Sequence, residues 1–336
     1  MKELFSRIRA GIDIPSVTGA EGEFARFVAR LLEERRYRVQ LQVVDGDRPN
    51  VFARGGADPR VVLCTHLDTV PPHVASSEDG EAIYGRGACD AKGILFSMLE
   101  AADRLRSEGV EEVGLLFTVG EELDSDGAAA AAAIAPGSRY VVVGEPTENR
   151  LASGHKGSFK FLLRAAGRAA HSAYPEQGVS AIERLLDALE LVRKADWGRD
   201  DRLGAATVNI GTLSGGVAAN VIAPAAEARV FVRVVGQARD AQARLDALLA
   251  GREGVDYDLI SRSDAVHCET PPGYDCAPVS FGTDIPYLKG FGAPLLVGPG
   301  SIHDAHGAGE KIAKREVLEA VELYRRLVRE LLEMPG

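Results

Sequence analysis

The sequence of 336 residues holds no run of eighteen apolar residues, and so offers no candidate transmembrane helix. Residues 1–19 interleave charged and apolar side chains and lack the continuous apolar core of a secretory signal. Basic charge is also short. There are 39 Lys and Arg against 49 Asp and Glu, a formal net charge of -10, and no basic cluster offsets it. Nucleic acid and anionic membrane need basic surface, so neither is expected as a partner. Cysteine is scarce: Cys64, Cys89, Cys268 and Cys276 show no CxxC spacing, and a chain of this length does not depend on disulfides. The cytoplasm is the expected location. No internal repeat or disordered tract stands out.

What the chain does have is an ordinary globular composition, 46% hydrophobic and 26% charged. Its length calls for two domains. Helical spacing of Phe24, Phe27, Val28, Leu31 and Leu32 predicts a helix over residues 21–36. Strand-like runs follow at 37–44, 50–53 and 60–65. Of these, Val61-Val62-Leu63-Cys64 is apolar without interruption, as in a strand buried on both faces. Helix at 92–107, strand at 112–119, an Ala-rich helix at 126–134 and strand at 139–143 complete an alternation that predicts a mostly parallel α/β sheet flanked by helices.

Near residue 155 the pattern changes. Strand 158–166, helix 178–194, strands 206–213 and 226–235, helix 237–250 and strand 255–261 give a β-α-β-β-α-β order, the ferredoxin-like arrangement. From about 265 the chain is loop-rich, closing with strand 294–298, a glycine-rich loop and an amphipathic helix at 313–333. The expected organisation is a domain of residues 1–154 and 265–336 with an α+β domain of residues 155–264 inserted into it.

The residues that carry chemistry fall where predicted strands end, the place where open α/β sheets bind ligands. After strand 61–64 comes Thr65-His66-Leu67-Asp68, in which His66 can ligate a metal while Asp68 accepts from its other ring nitrogen. Gly85-Arg86-Gly87-Ala88-Cys89-Asp90 places a carboxylate before a helix and is not a nucleotide-binding loop. Gly120-Glu121-Glu122 follows strand 112–119. Neighbouring side chains diverge there, so one glutamate can bind metal and the other take a proton. Gly144-Glu145-Pro146 follows Val141-Val142-Val143, and strand 294–298 leads into a loop with two histidines, His303 and His306, either of which can ligate. Each segment alone also fits a helix cap, a turn or a solvated pair of charges. Together they put histidines and carboxylates at one sheet edge. Mixed ligation of this kind suits zinc, cobalt or manganese, with an aspartate shared between two ions.

Taken in order, CTHLDTVP, YGRGACDAKG, TVGEELDSDG, GEPTE, AHSAYPEQG, GGVAANVIAP and GPGSIHDAH resemble the di-zinc family of acetylornithine deacetylase, succinyl-diaminopimelate desuccinylase, aminoacylase and carboxypeptidase G, across essentially the whole chain. The resemblance implies a zinc-exopeptidase-like catalytic domain with an inserted lid and dimerisation domain. It implies two divalent ions, zinc or cobalt, one held by His66, Asp90 and Glu145 and the other by Asp90, Glu122 and His306. It favours His306 over His303, because the family's ligand follows an alanine. It makes Glu121 the general base and Asp68 the residue that orients His66, with a cis peptide between Asp90 and Ala91. On the inserted domain it makes His171 a donor to the oxyanion, and gives Asn220 and Arg233 to a substrate carboxylate. Backbone groups of Gly300 and Ser301 are expected to help bind substrate, while Cys64 and Cys89 read as packing residues beside ligands.

The implied protein is a homodimeric amidohydrolase acting on an N-acyl amino acid or short peptide. GEPT and GPGSI-x-x-AH look most like deacetylases of acetylornithine, acetylcitrulline or acetyl-lysine, enzymes of arginine or lysine biosynthesis. The alternatives are a succinyl-diaminopimelate desuccinylase, a di- or tripeptidase, or a carboxypeptidase. A non-catalytic binding protein on the same fold is disfavoured by the complete set of ligands and base.

Overall fold

The apolar run at Val61–Cys64 becomes an inner strand of a six-stranded sheet in the computed structural model, which describes residues 1–334. The chain divides into two units. The first comprises Met1–Ser153, His267–Ala277 and the residues from Thr283 onward. Its sheet runs in the order Arg38–Asp45, Arg48–Arg54, Val113–Thr118, Val61–His66, Tyr140–Val143, Ala293–Leu296. The last four strands are mutually parallel, and the Arg38–Arg54 hairpin joins Val113–Thr118 antiparallel. Strands Val61–His66 and Val113–Thr118 are buried at every position, as continuous apolar strings covered on both faces should be. The expected mostly parallel α/β sheet is present.

Helices follow their apolar stripes. Gly22–Glu34 buries Phe24, Val28 and Leu32 at intervals of four. Lys92–Ser107 is buried along most of its length and packs on Lys314–Glu333, which turns Val317, Val321, Tyr324, Val328 and Leu331 inward. A further helix, Lys2–Ile12, buries Leu4, Ile8 and Ile12 with the same spacing and was not anticipated. The expected helix over 126–134 is shorter. Asp126–Ala131 is α-helical, Ala132–Ile134 tightens to a 3-10 turn, and Ala135 is extended. Pro136 follows, and a proline disfavours helical backbone in the residue before it. Within the loop-rich end, Lys311–Ala313 pairs antiparallel with Ala82–Tyr84, two short strands the sequence did not announce.

The second unit comprises Gly154–Val266 and Pro278–Gly282. Its antiparallel sheet runs Thr207–Gly215, Ala225–Val234, Gly157–Ala166, Val255–Ser263, the ferredoxin-like order expected from the β-α-β-β-α-β pattern. Side chains alternate. Phe159, Phe161 and Leu163 of one strand and Val230 and Val232 of its neighbour face inward onto Leu185, Leu189 and Val192 of helix Ala181–Lys194 and Leu245 of helix Ala238–Leu249. Ser180 caps the first of these helices by accepting the Glu183 N–H. Among the described residues no helix is long and apolar enough to cross a membrane.

Candidate metal centre

Strand ends in the first unit bring the acidic and histidine segments together. Val61–His66 delivers His66, whose ring is 1% exposed. Its Nε2 lies 2.9 Å from Asp90 Oδ1. On the other side of the same carboxylate, Asp90 Oδ2 lies 3.2 Å from His306 Nε2, which is also 3.0 Å from Glu122 Oε1. Asp90 thus turns one oxygen to each of two imidazoles. Ligand-capable atoms of His66, Asp90 and Glu122 all fall within 4.8 Å of one another, and so do those of His66, Glu121 and Glu145. The family scheme joins two triads through Asp90; the second of these groups also places His66 and Glu145 beside Glu121. His303 is exposed.

The turn after strand Val113–Thr118 explains why two adjacent glutamates can both point inward. Gly120 has φ +78°, and a Cβ there would sit 2.0 Å from Asp126 Oδ1, so only glycine fits. The reversal aims the N–H groups of Glu121 and Glu122 at the buried Asp68 carboxylate, whose Oδ1 and Oδ2 accept them at 3.1 Å each. Thr18 Oγ1 donates to Asp68 Oδ2 at 2.9 Å. Asp68 therefore does more than the sequence expected of it. Toward His66, the Asp68 backbone carbonyl lies 2.9 Å from Nδ1, while its carboxylate is 3.5 Å away. The ring is oriented mainly by the main chain, and the carboxylate fixes the Glu121–Glu122 backbone. The Asp90–Ala91 peptide is cis.

Electrostatics test whether this donor set fits cations. Burial pushes the Glu121 carboxyl well above its ordinary value, with Glu145 adding repulsion. Burial also drives Glu145 well up, Asp90 next, and it raises Glu122, against the pull of His306. Burial works most strongly on His66 and favours the neutral ring, yet the carboxylates of Asp68 and Asp90 together raise it well above the usual histidine range. Asp90 and then Glu122 hold His306 up to about 10. Buried carboxylates crowded together, relieved only by protonating themselves or the histidines, are the donor set that two divalent cations would neutralise. The residues fit the group.

Two acidic residues of this neighbourhood escaped the sequence reading. Asp284, 2% exposed, accepts from Thr118 Oγ1 at 2.7 Å, and burial lifts its carboxyl to about 6. Glu310, also 2% exposed, sits under the Asp90 loop. Neither follows an apolar strand, the signal that found His66, Glu121, Glu122 and Glu145. Cys64 and Cys89 are buried thiols pushed well up by desolvation, consistent with packing.

The Gly300 carbonyl, one of the backbone groups expected to help bind substrate, accepts the Glu148 N–H at 2.8 Å. A Cβ on Gly300 (φ +85°) would strike Cys89 Sγ at 2.6 Å, which gives that glycine a packing reason. The Ser301 hydroxyl donates to Glu148 Oε1 at 2.8 Å, and its carbonyl accepts from Cys89 Sγ at 3.3 Å.

In the second unit, His171 and Asn220 are neighbours. His171 bridges to Val221, and the Ser172 N–H donates to the Asn220 carbonyl at 3.0 Å. His171 Nδ1 accepts the Ala173 N–H at 3.1 Å, which leaves Nε2 to carry the ring proton. Arg233 lies on strand Ala225–Val234, its guanidinium 4.4 Å from the centre of the Phe231 ring. Burial alone lowers its basicity.

Residues 62–330 match the sequence model of a family described as peptidase family M20/M25/M40. A peptidase M20 domain-containing protein of Schizosaccharomyces pombe is 38% identical over 338 residues, spanning 97% of this chain and 84% of its own. A probable carboxypeptidase of Aspergillus clavatus is 38% identical over 381 residues, spanning 98% and 83%. Among solved structures, aminopeptidase PepT from Bacillus cereus superposes with a TM-score of 0.83 at 20% identity, covering 99% of both chains.

Proposed function

Because the chain belongs to peptidase family M20/M25/M40, and is thereby a metal-dependent hydrolase of amide or peptide bonds, we propose that it is a two-cation peptidase that releases the C-terminal residue of short peptides. The observation that carries the two-cation reading is the Asp90 carboxylate, one oxygen toward His66 and the other toward His306, with Glu121 in the same cluster. His66, Asp90 and Glu145 would hold one cation and Asp90, Glu122 and His306 the other. Two imidazoles among carboxylates suit zinc, with cobalt as a functional substitute. Bound there, the cations would polarise the scissile carbonyl and acidify water.

The chain's own residues do the rest. Glu121, in a buried position that favours its protonated form, accepts the proton of the attacking water and returns it to the leaving amine. Asp68 holds Glu121 and Glu122 in place through their N–H groups. His171 offers its Nε2 proton to the oxyanion, and Arg233 with Asn220 binds the substrate carboxylate. Arg233 supports a substrate with a free carboxylate, since its half-buried guanidinium lies over the Phe231 ring and, among the described residues, pairs with no carboxylate. The homodimer belongs to the same proposal, supported by the apolar side chains of Leu213, Leu259 and Ile260 that the second unit leaves exposed.

Carboxypeptidase action is favoured over deacylation because a relative 38% identical over nearly the whole chain bears that name. The second reading, removal of an acyl group from N-acetylornithine, N-acetylcitrulline or N-acetyl-lysine, with N-succinyl-diaminopimelate next, rests on the resemblance of the GEPT and GPGSI-x-x-AH segments to acetyl-amino-acid deacetylases. A panel of these four compounds and of dipeptides and tripeptides, assayed with zinc or cobalt, separates the two. The expected result is a kcat/KM for peptides at least about tenfold above that for any acyl amino acid. The reverse order would establish the deacylase instead.

Ligation by His306 carries a pH signature. Its folded-state value is raised above the ordinary 6.5 to about 10. In the cation-free protein its contribution to stability is therefore complete below pH 6.5 and is lost as pH climbs through about 10. Ligation needs the neutral ring, so the cation displaces a proton. Apparent affinity for the weaker cation is expected to rise by up to about tenfold per pH unit between about pH 6 and 8, with proton release seen by calorimetry in buffers of different ionisation enthalpy. A pH-independent affinity would remove His306 from the ligand set.

A further inference from the structure

A buried ion pair lies beneath the centre and touches two of the loops that supply its proposed ligands, those of Asp90 and His306. Glu310 Oε1 accepts three main-chain N–H groups of the Asp90 loop, those of Gly87 at 2.9 Å, Cys89 at 3.1 Å and Asp90 itself at 3.1 Å. Its Oε2 pairs with Arg86 Nη1 at 2.5 Å. Arg86 in turn donates from Nη2 to the His306 carbonyl and from Nη1 to the Gly307 carbonyl, each at 3.3 Å, and from Nε to the Pro72 carbonyl at 3.2 Å. The two side chains are 2% and 1% exposed.

Two charges taken fully out of water are a poor source of net stability, because desolvation consumes most of their attraction. This pair is nevertheless satisfied on nearly every side, and its partners are not scattered. They are the backbone atoms of the residue that turns an oxygen to each histidine and of one of those histidines. More than 200 residues separate the two loops in the chain, and one guanidinium–carboxylate pair sets the spacing between them. We infer that Arg86 and Glu310 are positioning residues, a clamp that fixes Asp90 against His306 and so builds the cation site of Asp90, Glu122 and His306.

The inference rests on the ligand assignment above. Outer partners of ligands typically govern affinity by 10–100-fold, and a clamp of this geometry acts unequally on the two sites. His66 and Glu145 stand at strand ends that Arg86 and Glu310 do not touch, whereas His306 depends on a loop held by Arg86.

The test is titration of the cation-free full-length protein with cobalt(II), followed through its visible absorption, for the wild type, Glu310→Gln and Arg86→Lys. Melting temperatures of the cation-free proteins are measured alongside. Arg86→Lys is the milder change: it keeps the charge and loses the fork that reaches both carbonyls. The expected result is two binding steps in the wild type, with the weaker step loosened about 10–100-fold in both variants and the tighter one changed far less. Wild-type affinities in both variants overturn the clamp alone. So does equal loss of both steps together with a collapse of the cation-free melting temperature in both variants, which marks a purely structural pair. A wild type that takes up fewer than two cobalt ions overturns the ligand assignment, and the clamp with it.

Discussion

Glu121→Gln is expected to lower kcat by about 10³-fold while both cations remain bound. The substitution preserves shape and removes only the ability to accept a proton. The main-chain N–H of residue 121 would still be held by Asp68, so the backbone that also presents Glu122 should not move. KM is expected to change little, because the lost interaction belongs to proton transfer and not to ground-state binding. Cation content by elemental analysis separates this outcome from damage to the centre. Turnover within a few fold of wild type would sink the general-base assignment. Loss of a cation together with activity would instead make Glu121 a ligand, a possibility the Glu121–Glu145–His66 grouping makes specific.

Asp90→Ala is expected to have the broadest effect of any single change. In the proposed scheme, one site would then keep only His66 and Glu145 and the other only Glu122 and His306, two ligands each instead of three. Stoichiometry should fall from two cations to below one, and activity with it. The change should also appear in stability. A ligand present at about 1,000 times its Kd adds about 4 kcal/mol to the folded state, so the wild type should gain melting temperature on addition of zinc or cobalt. The Asp90→Ala protein should not. If it retains two cations, Asp90 does not join the sites.

Most of the centre that could be read in the sequence, all but Asp90 and His306, shares one physical cause. A strand buried on both faces is an unbroken apolar string, and a charged residue at its end has few places to go except the ligand-binding edge. His66, Glu121, Glu122 and Glu145 are all of this kind. Asp284 and Glu310 are not. They come from loops, Asp284 between Thr283 and Ile285 and Glu310 between Gly309 and Lys311, and only the folded chain reveals that both are buried. The helix Lys2–Ile12 had a legible period in Leu4, Ile8 and Ile12, but its polar residues concealed that all three are buried.

Substrate preference was the least legible property, and the structure gives the reason. The Thr147 hydroxyl of GEPT accepts the Gly298 N–H at 3.0 Å and donates to the Arg150 carbonyl at 2.7 Å. Gly298 itself leaves no room for a side chain, since a Cβ there would lie 2.6 Å from the Glu145 carbonyl. These segments join the ends of two strands. They report how the turn beside the proposed cation sites is built, so their likeness to deacetylase segments says little about which substrate is bound.

The order of the chain has a consequence for how the protein comes into being. The first unit is interrupted between Ser153 and His267, and resumes only after the second unit is nearly complete. His66, Asp90, Glu121, Glu122 and Glu145 all precede the interruption, whereas His306, Arg86's partner Glu310 and the strand Ala293–Leu296 follow it. On the ribosome, the acidic segments therefore precede the last proposed ligand by the time needed to synthesise well over a hundred residues, about ten seconds or more at ordinary rates. Under the proposed assignment, that interval precedes synthesis of the histidine of the second site. The proposed second site can be completed only after His306 has been made, late in synthesis.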